Sequence, residues 1–172
     1  MNYSEIKFND IANGLGIRTS LFVSGCRNRC PGCFNKKTWD FNSGKLFTNE
    51  TCQLILDSMN EYTDGLSLLG GDPFEFENVE GLLPLVKEFK EKFPDKSIWC
   101  YTGYLYEDLI KDSKNKTFMS YIDILVDGRF ELDLKNIKLK FKGSSNQRII
   151  DVKKSLESSN VILHKIEELN KI

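Results

Sequence analysis

The sequence predicts an α/β fold in a single domain, built on a mostly parallel sheet, and three observations carry that prediction. Short apolar, β-rich runs alternate with amphipathic helical stretches, the pattern that builds parallel strands joined by helical crossovers. At 172 residues, 40% hydrophobic and 12% aromatic, the chain can fill one real core but is too short for two. Its most unusual short motifs each fall directly after one of the apolar runs, where ligands bind in parallel α/β folds.

The elements follow in order. Residues 17–23 form a β-rich, partly apolar strand that feeds into a cysteine-rich loop. Thr48 is placed to cap a helix over 49–62, with Cys52, Ile55, Leu56, Met59 and Tyr62 on one stripe. Residues 66–69 are a short buried strand. Asn78 caps the next helix, whose apolar face is Val79, Leu82, Leu83, Val86, Phe89 and Phe93, with Pro84 expected to bend its first turns. Residues 97–101 give a third strand, 105–111 a third helix, and 122–126 a fourth strand bounded by Asp127-Gly128. Ile137, Leu139 and Phe141 alternate with lysines, as a half-exposed strand does. Residues 152–169 have helical composition interrupted by β-rich Val161-Ile162-Leu163, and composition leaves both states open. Residues 1–152 are therefore read as the main domain and 153–172, rich in serine, lysine and glutamate, as a C-terminal appendage.

Lysine plus arginine (24) nearly balances aspartate plus glutamate (25), so no bulk charge points to nucleic acid or an anionic membrane. The basic run Lys135 to Lys142 is diluted by apolar residues and reads as the solvated face of a strand. No charged-then-apolar leader opens the sequence, and no apolar run approaches the roughly twenty residues of a membrane span. Five cysteines, an odd number in a chain of this size, argue against a disulfide scaffold and for a reducing cytoplasm.

Three of those cysteines, Cys26, Cys30 and Cys33, crowd into eight residues with no fourth close by. An iron–sulfur cube normally takes four thiolates. Three on one short loop hold three corners and leave one iron free for a small molecule. Zinc structural sites instead want four closed ligands, usually in C-x2-C pairs. Gly70-Gly71-Asp72-Pro73 lets backbone approach a ligand closely, with Asp72 supplying a charge or fixing the loop; taken alone it also reads as a tight turn before a helix.

The C-x3-C-x2-C spacing resembles that of the radical S-adenosylmethionine enzymes. The resemblance implies a [4Fe-4S] cluster on Cys26, Cys30 and Cys33 whose open iron chelates the methionine part of S-adenosylmethionine. It also implies that Gly70 and Gly71 bind the methionine amino group through their carbonyls, with Asp72 in support. Many members place an aromatic residue just before the third cysteine, near adenine; here that residue is Gly32, so Phe34 or the backbone of Gly32, Cys33 and Phe34 takes over that contact. Five motifs narrow the match: Asn13 to Thr19, Gly70 to Pro73, Trp99 with Tyr101-Thr102-Gly103-Tyr104, Val126 to Phe130, and Gly143 to Arg148. In that order they resemble the activating proteins of anaerobic (class III) ribonucleotide reductase.

That family implies a trimmed partial (β/α) barrel, open on one side. Its activity is to use the 5′-deoxyadenosyl radical to remove hydrogen from one glycine of the large reductase subunit, the protein substrate with which a hetero-oligomer is expected. The electron comes from an external reductant such as a flavodoxin or ferredoxin, since no flavin or nicotinamide motif is present. Asp127 and Arg129, at a strand end, are assigned to orienting the cofactor; the alternative is a solvent-exposed turn. No acid–base pair is expected among the catalytic groups: His164, the one histidine, reads as a packing or surface residue, and Cys52 and Cys100 as core. Three rivals stay open. An activase of another glycyl radical enzyme is one. A zinc-stabilised interaction module would recruit His164 or Cys52 and leave the glycine motifs unexplained. A fully ligated electron-transfer protein would ignore S-adenosylmethionine.

Overall fold

The computed structural model describes residues 1–166. Its frame is one seven-stranded sheet. The strands are β1 (Asn2–Asp10), β2 (Arg18–Val23), β3 (Lys45–Leu46), β4 (Gly65–Gly70), β5 (Ser97–Tyr101), β6 (Ile124–Asp127) and β7 (Arg148–Asp151). Their spatial order is β3-β1-β2-β4-β5-β6-β7. The centre, β2-β4-β5-β6, is parallel, while β1 against β2, β1 against β3 and β6 against β7 are antiparallel. The expected mostly parallel sheet is thus a mixed one with a parallel middle. The helices are α1 (Asn49–Asp57), α2 (Phe76–Lys92), α3 (Tyr106–Leu109), α4 (Ser113–Met119) and α5 (Val152–Ser158).

Strand alternation divides the sheet into two unlike faces. Leu21, Leu68, Cys100, Leu125 and Ile150 are register partners across five strands and lie in the main core. Ile55 and Leu56 of α1, Val79, Leu82, Val86 and Phe89 of α2, and Phe118 and Met119 of α4 cover them. On the opposite face Trp99, Ile124, Val126 and Ile149 make a smaller cluster with Tyr101 and Phe141. Tyr101, with Phe22 and Leu69 from the rest of that face, lines a cavity.

Several elements depart from the sequence expectation for identifiable reasons. The helix capped by Thr48 stops at Asp57 rather than Tyr62, because the Thr63 hydroxyl accepts from the Asn60 N–H and donates to the Asn60 carbonyl in a turn that competes with another helical turn. Tyr62 is accordingly exposed. α2 begins at Phe76, before Asn78, and runs on through Pro84. Buried Asn78 sits in its first turn, its amide donating to the carbonyls of Ser24 and Asp72. The lysine-alternating stretch 137–141 is not a strand: the place beside β6 is taken by β7, and Ile137 is 89% exposed. The strands β1, β3 and β7 and the short α4 carry too little apolar patterning to stand out in the sequence. At the C-terminus α5 is helical and Leu163 bridges to Ile150, so both suggested states occur in turn; the end of the 152–169 stretch lies outside the described residues. Val152 and Ser155 of α5 are buried.

Candidate functional site

The loops that leave β2, β4, β5 and β6 at their carboxyl ends meet around one cavity of about 550 Å³. Cys26, Cys30 and Cys33 line it from the first loop, Gly70 to Asp72 from the second, Thr102 and Gly103 from the third, and Gly128 and Phe130 from the fourth.

The cysteine loop is held by backbone bonds along its length. Gly25 donates to the Thr38 carbonyl (2.8 Å) and Cys26 to that of Trp39 (3.1 Å), while the Cys33 N–H closes a turn onto the Cys30 carbonyl (3.1 Å). Gly32 takes a left-handed φ of +73° inside that turn. The Asn35 N–H points at Cys33 Sγ (3.3 Å). Between the first two cysteines, Arg27 gives its backbone N–H to Glu75 Oε1 (2.6 Å) and its guanidinium to Glu75 and Glu77, with Phe41 beneath it at 4.3 Å. Glu75, 3% exposed, also accepts from the Tyr104 hydroxyl (3.0 Å). One buried carboxylate therefore ties three of the four loops together. Burial, with the Asp72 charge adding to it, pushes the Cys26 thiol up to about 11.

Gly70 adopts φ +101°, while Gly71 is required by contact: a Cβ there would lie 2.4 Å from the Gly25 carbonyl oxygen. Asp72 is buried and accepts from Phe74 N–H (2.9 Å), Gly103 N–H (2.9 Å), Thr102 Oγ1 (2.8 Å) and Asn28 Nδ2 (2.8 Å). Burial pushes its carboxyl up to about 7, and the backbone and Thr102 donors oppose that rise by favouring the anion. Its carboxylate holds the loops in place instead of pointing unpaired into the cavity. Phe34 is 65% exposed at the rim, edge-on to Phe130 at 5.4 Å, with Lys135 Nζ 4.9 Å above its ring.

Two expected site residues, Asp127 and Arg129, lie outside the cavity lining. Asp127 is fully buried and accepts from the Tyr106 N–H (2.9 Å) and Arg148 Nε (2.9 Å), and Arg129 reaches the Asn28 carbonyl. Neither lines the cavity; their neighbours Gly128 and Phe130 do. An Asp-Gly at a strand end looks the same in sequence whether it serves a ligand or a buried ion pair. The Gly143 to Arg148 motif acquires a role as a clamp. Gln147 Oε1 accepts from Gly143 N–H (2.8 Å), its Nε2 donates to the Gly128 carbonyl (2.9 Å), and Asn146 Nδ2 donates to that of Arg129 (2.8 Å).

Asn28, Glu75, Thr102 and Gly103 are site-building residues that motif reading did not single out. The Tyr101 to Tyr104 motif marked two of them by position only, and nothing local distinguishes Asn28 or Glu75. Cys100 is buried on the helix-covered face and Cys52 is half-buried on α1, both outside the cavity lining. His164 packs edge-on to Trp99 at 6.2 Å.

The donor set fits an iron–sulfur cluster. Three free thiols open on one cavity, one already facing a backbone N–H. Among the described residues no three histidine, cysteine, aspartate or glutamate groups converge as the ligands of a single ion do.

The sequence model of the family described as "4Fe-4S single cluster domain" matches residues 12–150. The chain thus belongs to that family of single-cluster iron–sulfur domains. The anaerobic ribonucleoside-triphosphate reductase-activating protein of Pasteurella multocida is 43% identical over 152 residues, covering 87% of this chain and 96% of that protein. That of Escherichia coli K12 is 43% identical over 150 residues, covering 86% and 96%. That of Enterobacteria phage T4 is 41% identical over 150 residues, covering 87% and 93%. The chain belongs to the family of anaerobic ribonucleoside-triphosphate reductase-activating proteins.

Proposed function

We propose that this chain activates anaerobic ribonucleotide reductase through a [4Fe-4S] cluster on Cys26, Cys30 and Cys33, with S-adenosylmethionine bound at its open iron. The observation that carries this reading is the meeting of the three free thiols and the Gly70-Gly71 turn in one cavity at the carboxyl ends of parallel strands. The names of the relatives supply the partner. When bound, cluster and cofactor supply reductive cleavage to a 5′-deoxyadenosyl radical, which removes hydrogen from a glycine of the large reductase subunit to leave a glycyl radical.

The protein's own residues position and enclose. Gly70 and Gly71 present carbonyls to the methionine ammonium, and Asp72 keeps their turn against the cysteine loop. Backbone from Gly32 to Phe34 borders the adenine side. Gly128 and Phe130 form the fourth wall, and Asp127 and Arg129 act by fixing the loop behind it. The helix-free face of the sheet serves as the open side of a trimmed partial barrel, the side by which a polypeptide loop would enter. The complex with the reductase forms in a reducing cytoplasm, and a flavodoxin or ferredoxin supplies the electron. Among the described residues no helix is long and apolar enough to cross a membrane.

The test is anaerobic reconstitution with iron and sulfide, followed by electron paramagnetic resonance with and without S-adenosylmethionine and an assay for 5′-deoxyadenosine. A cluster signal perturbed by the cofactor, with deoxyadenosine formed, is the expected result. A cluster indifferent to the cofactor would leave only electron transfer.

A further inference from the structure

Residues 131–143 border the cavity as a strap outside the sheet, with Phe141 packed edge-on against Trp99 at 5.3 Å. It is closed at its base by the Lys135–Ser144 bridge, by Asn136 N–H to the Gly143 carbonyl (3.2 Å) and by Ser145 N–H to that of Leu134 (2.9 Å). Its outer surface is apolar and basic together. Ile137 is 89% exposed and Leu132 51%, beside Phe34 at 65%. Four lysines (135, 138, 140, 142) face two acids, Glu131 and Asp133, a local excess of +2 on a chain whose formal net charge is −1. Lys135 and Lys142 are engaged, one over the Phe34 ring and the other on the Gln147 carbonyl. Among the described residues Lys138 and Lys140 form no ion pair.

We infer that this strap is the docking surface for the reductase, taking an acidic segment of that subunit against Lys138 and Lys140 and an apolar side chain against Ile137. The inference rests on the activase reading and adds to it the place and the chemistry of recognition. Two observations select this occupant. The strap is continuous with the cavity wall through Ile137, Leu139 and Phe141, so a polypeptide presenting a residue to the cavity passes over it. The excess of positive charge selects an acidic partner, and steers its approach.

The experiment compares reconstituted wild-type protein with a Lys138→Glu/Lys140→Glu double variant and with Ile137→Ser. Affinity and association rate for the purified reductase subunit are measured at low and high salt, and deoxyadenosine formation is measured without reductase. The double variant should bind about tenfold more weakly at low salt, the difference shrinking as salt screens it, with deoxyadenosine formation unchanged. Ile137→Ser should weaken binding about tenfold at both salt concentrations, through lost apolar burial. Unchanged reductase affinity in both variants would overturn the docking surface, as would an effect confined to self-association of the activating chain. Absence of deoxyadenosine from wild type would instead remove the activase reading, and the affinities would still decide the strap.

Discussion

Replacing Gly71 by alanine tests whether that glycine serves the ligand or the loops. If it exists only to let a ligand approach the backbone, alanine weakens S-adenosylmethionine binding and leaves iron content intact. The geometry predicts otherwise. The added Cβ would sit 2.4 Å from the Gly25 carbonyl oxygen where ordinary contact begins at 3.4 Å, so about 1 Å of movement is needed (3.4 − 2.4). Gly25 resists that movement. Its N–H is bonded to Thr38 (2.8 Å) and its carbonyl accepts from Asp72 (2.8 Å) and from Asn78 Nδ2 (3.4 Å). Overpacking of this kind costs roughly 1–3 kcal/mol, and losing the Asp72 bond adds about 1 kcal/mol. A destabilisation of about 2–4 kcal/mol follows. Because the residue after Gly25 is Cys26, the strain passes into the cluster loop and iron content should fall with stability. Urea unfolding of the apoprotein and iron per chain after reconstitution are the two readouts. Stability within about 0.5 kcal/mol of wild type, full iron and a loss confined to cofactor affinity would refute the loop-on-loop argument.

Alanine at Cys26, Cys30 or Cys33 should abolish cluster assembly, read as iron and sulfide content, while Cys52→Ala and Cys100→Ala should retain it; full activity in any of the first three would sink the ligand assignment. Asp127→Asn should cost stability, by about 2 kcal/mol from the half-unpaired Arg148, and leave cofactor affinity unchanged in the folded protein. The reverse outcome would return Asp127 to the cofactor. Hydrogen bonds from Arg148 hold Glu107 down to about 2, and those from Arg27 do the same for Glu77. Both folded values lie below the unfolded value of 4.5, so their stabilisation is fully present above pH 4.5 and lost as pH falls from there through about 2. Thermal melts across that window should show a shallower decline for Arg148→Gln than for wild type, and parallel declines would exclude the pair as a contributor.

What the sequence disclosed, and what it did not, follows from the range of the forces involved. The parallel strands were legible because runs such as Leu66 to Leu69 are buried on both faces and so are apolar at all but one position, Ser67. The meeting of four loops at one rim then followed from strand polarity alone. Residues 137–141 misled for a complementary reason: alternation states which residues suit a strand, but pairing requires a free neighbouring edge, and β7 already holds that edge beside β6. Asp127 and Glu75 show the same limit at the site. Asp127 has the sequence position of a ligand-facing acid and Glu75 has no local signature, yet each is a buried carboxylate bonded to a distant arginine, at 21 and 48 residues' separation. Spacing carries local chemistry such as C-x3-C-x2-C well, and it carries long-range ion pairing hardly at all.

The helix-free face explains a motif that chemistry alone left idle. A sheet face without helices must hold its shape by other means, and here a buried cation does so. Arg18 is fully buried beneath Trp99 (5.8 Å), and burial depresses its pKa only to about 10, so it remains charged at neutral pH. Its Nε donates to Ser67 Oγ (2.7 Å), and its terminal nitrogens donate to the carbonyls of Leu15 (3.0 Å), Leu66 (2.8 Å) and Ser97 (2.7 Å) and to Ser97 Oγ (3.0 Å). Ser67 in turn donates to the Asn13 carbonyl (2.6 Å), and Asn13 lines the cavity. Gly14, at φ +126°, lies where any Cβ would strike both Arg18 and Trp99 at 2.9 Å. The segment from Asn13 to Arg18 is thus a strut whose far end rests on a charge that has no other place to go, and the floor of the cavity keeps its position because moving it would leave that charge unbonded inside the protein.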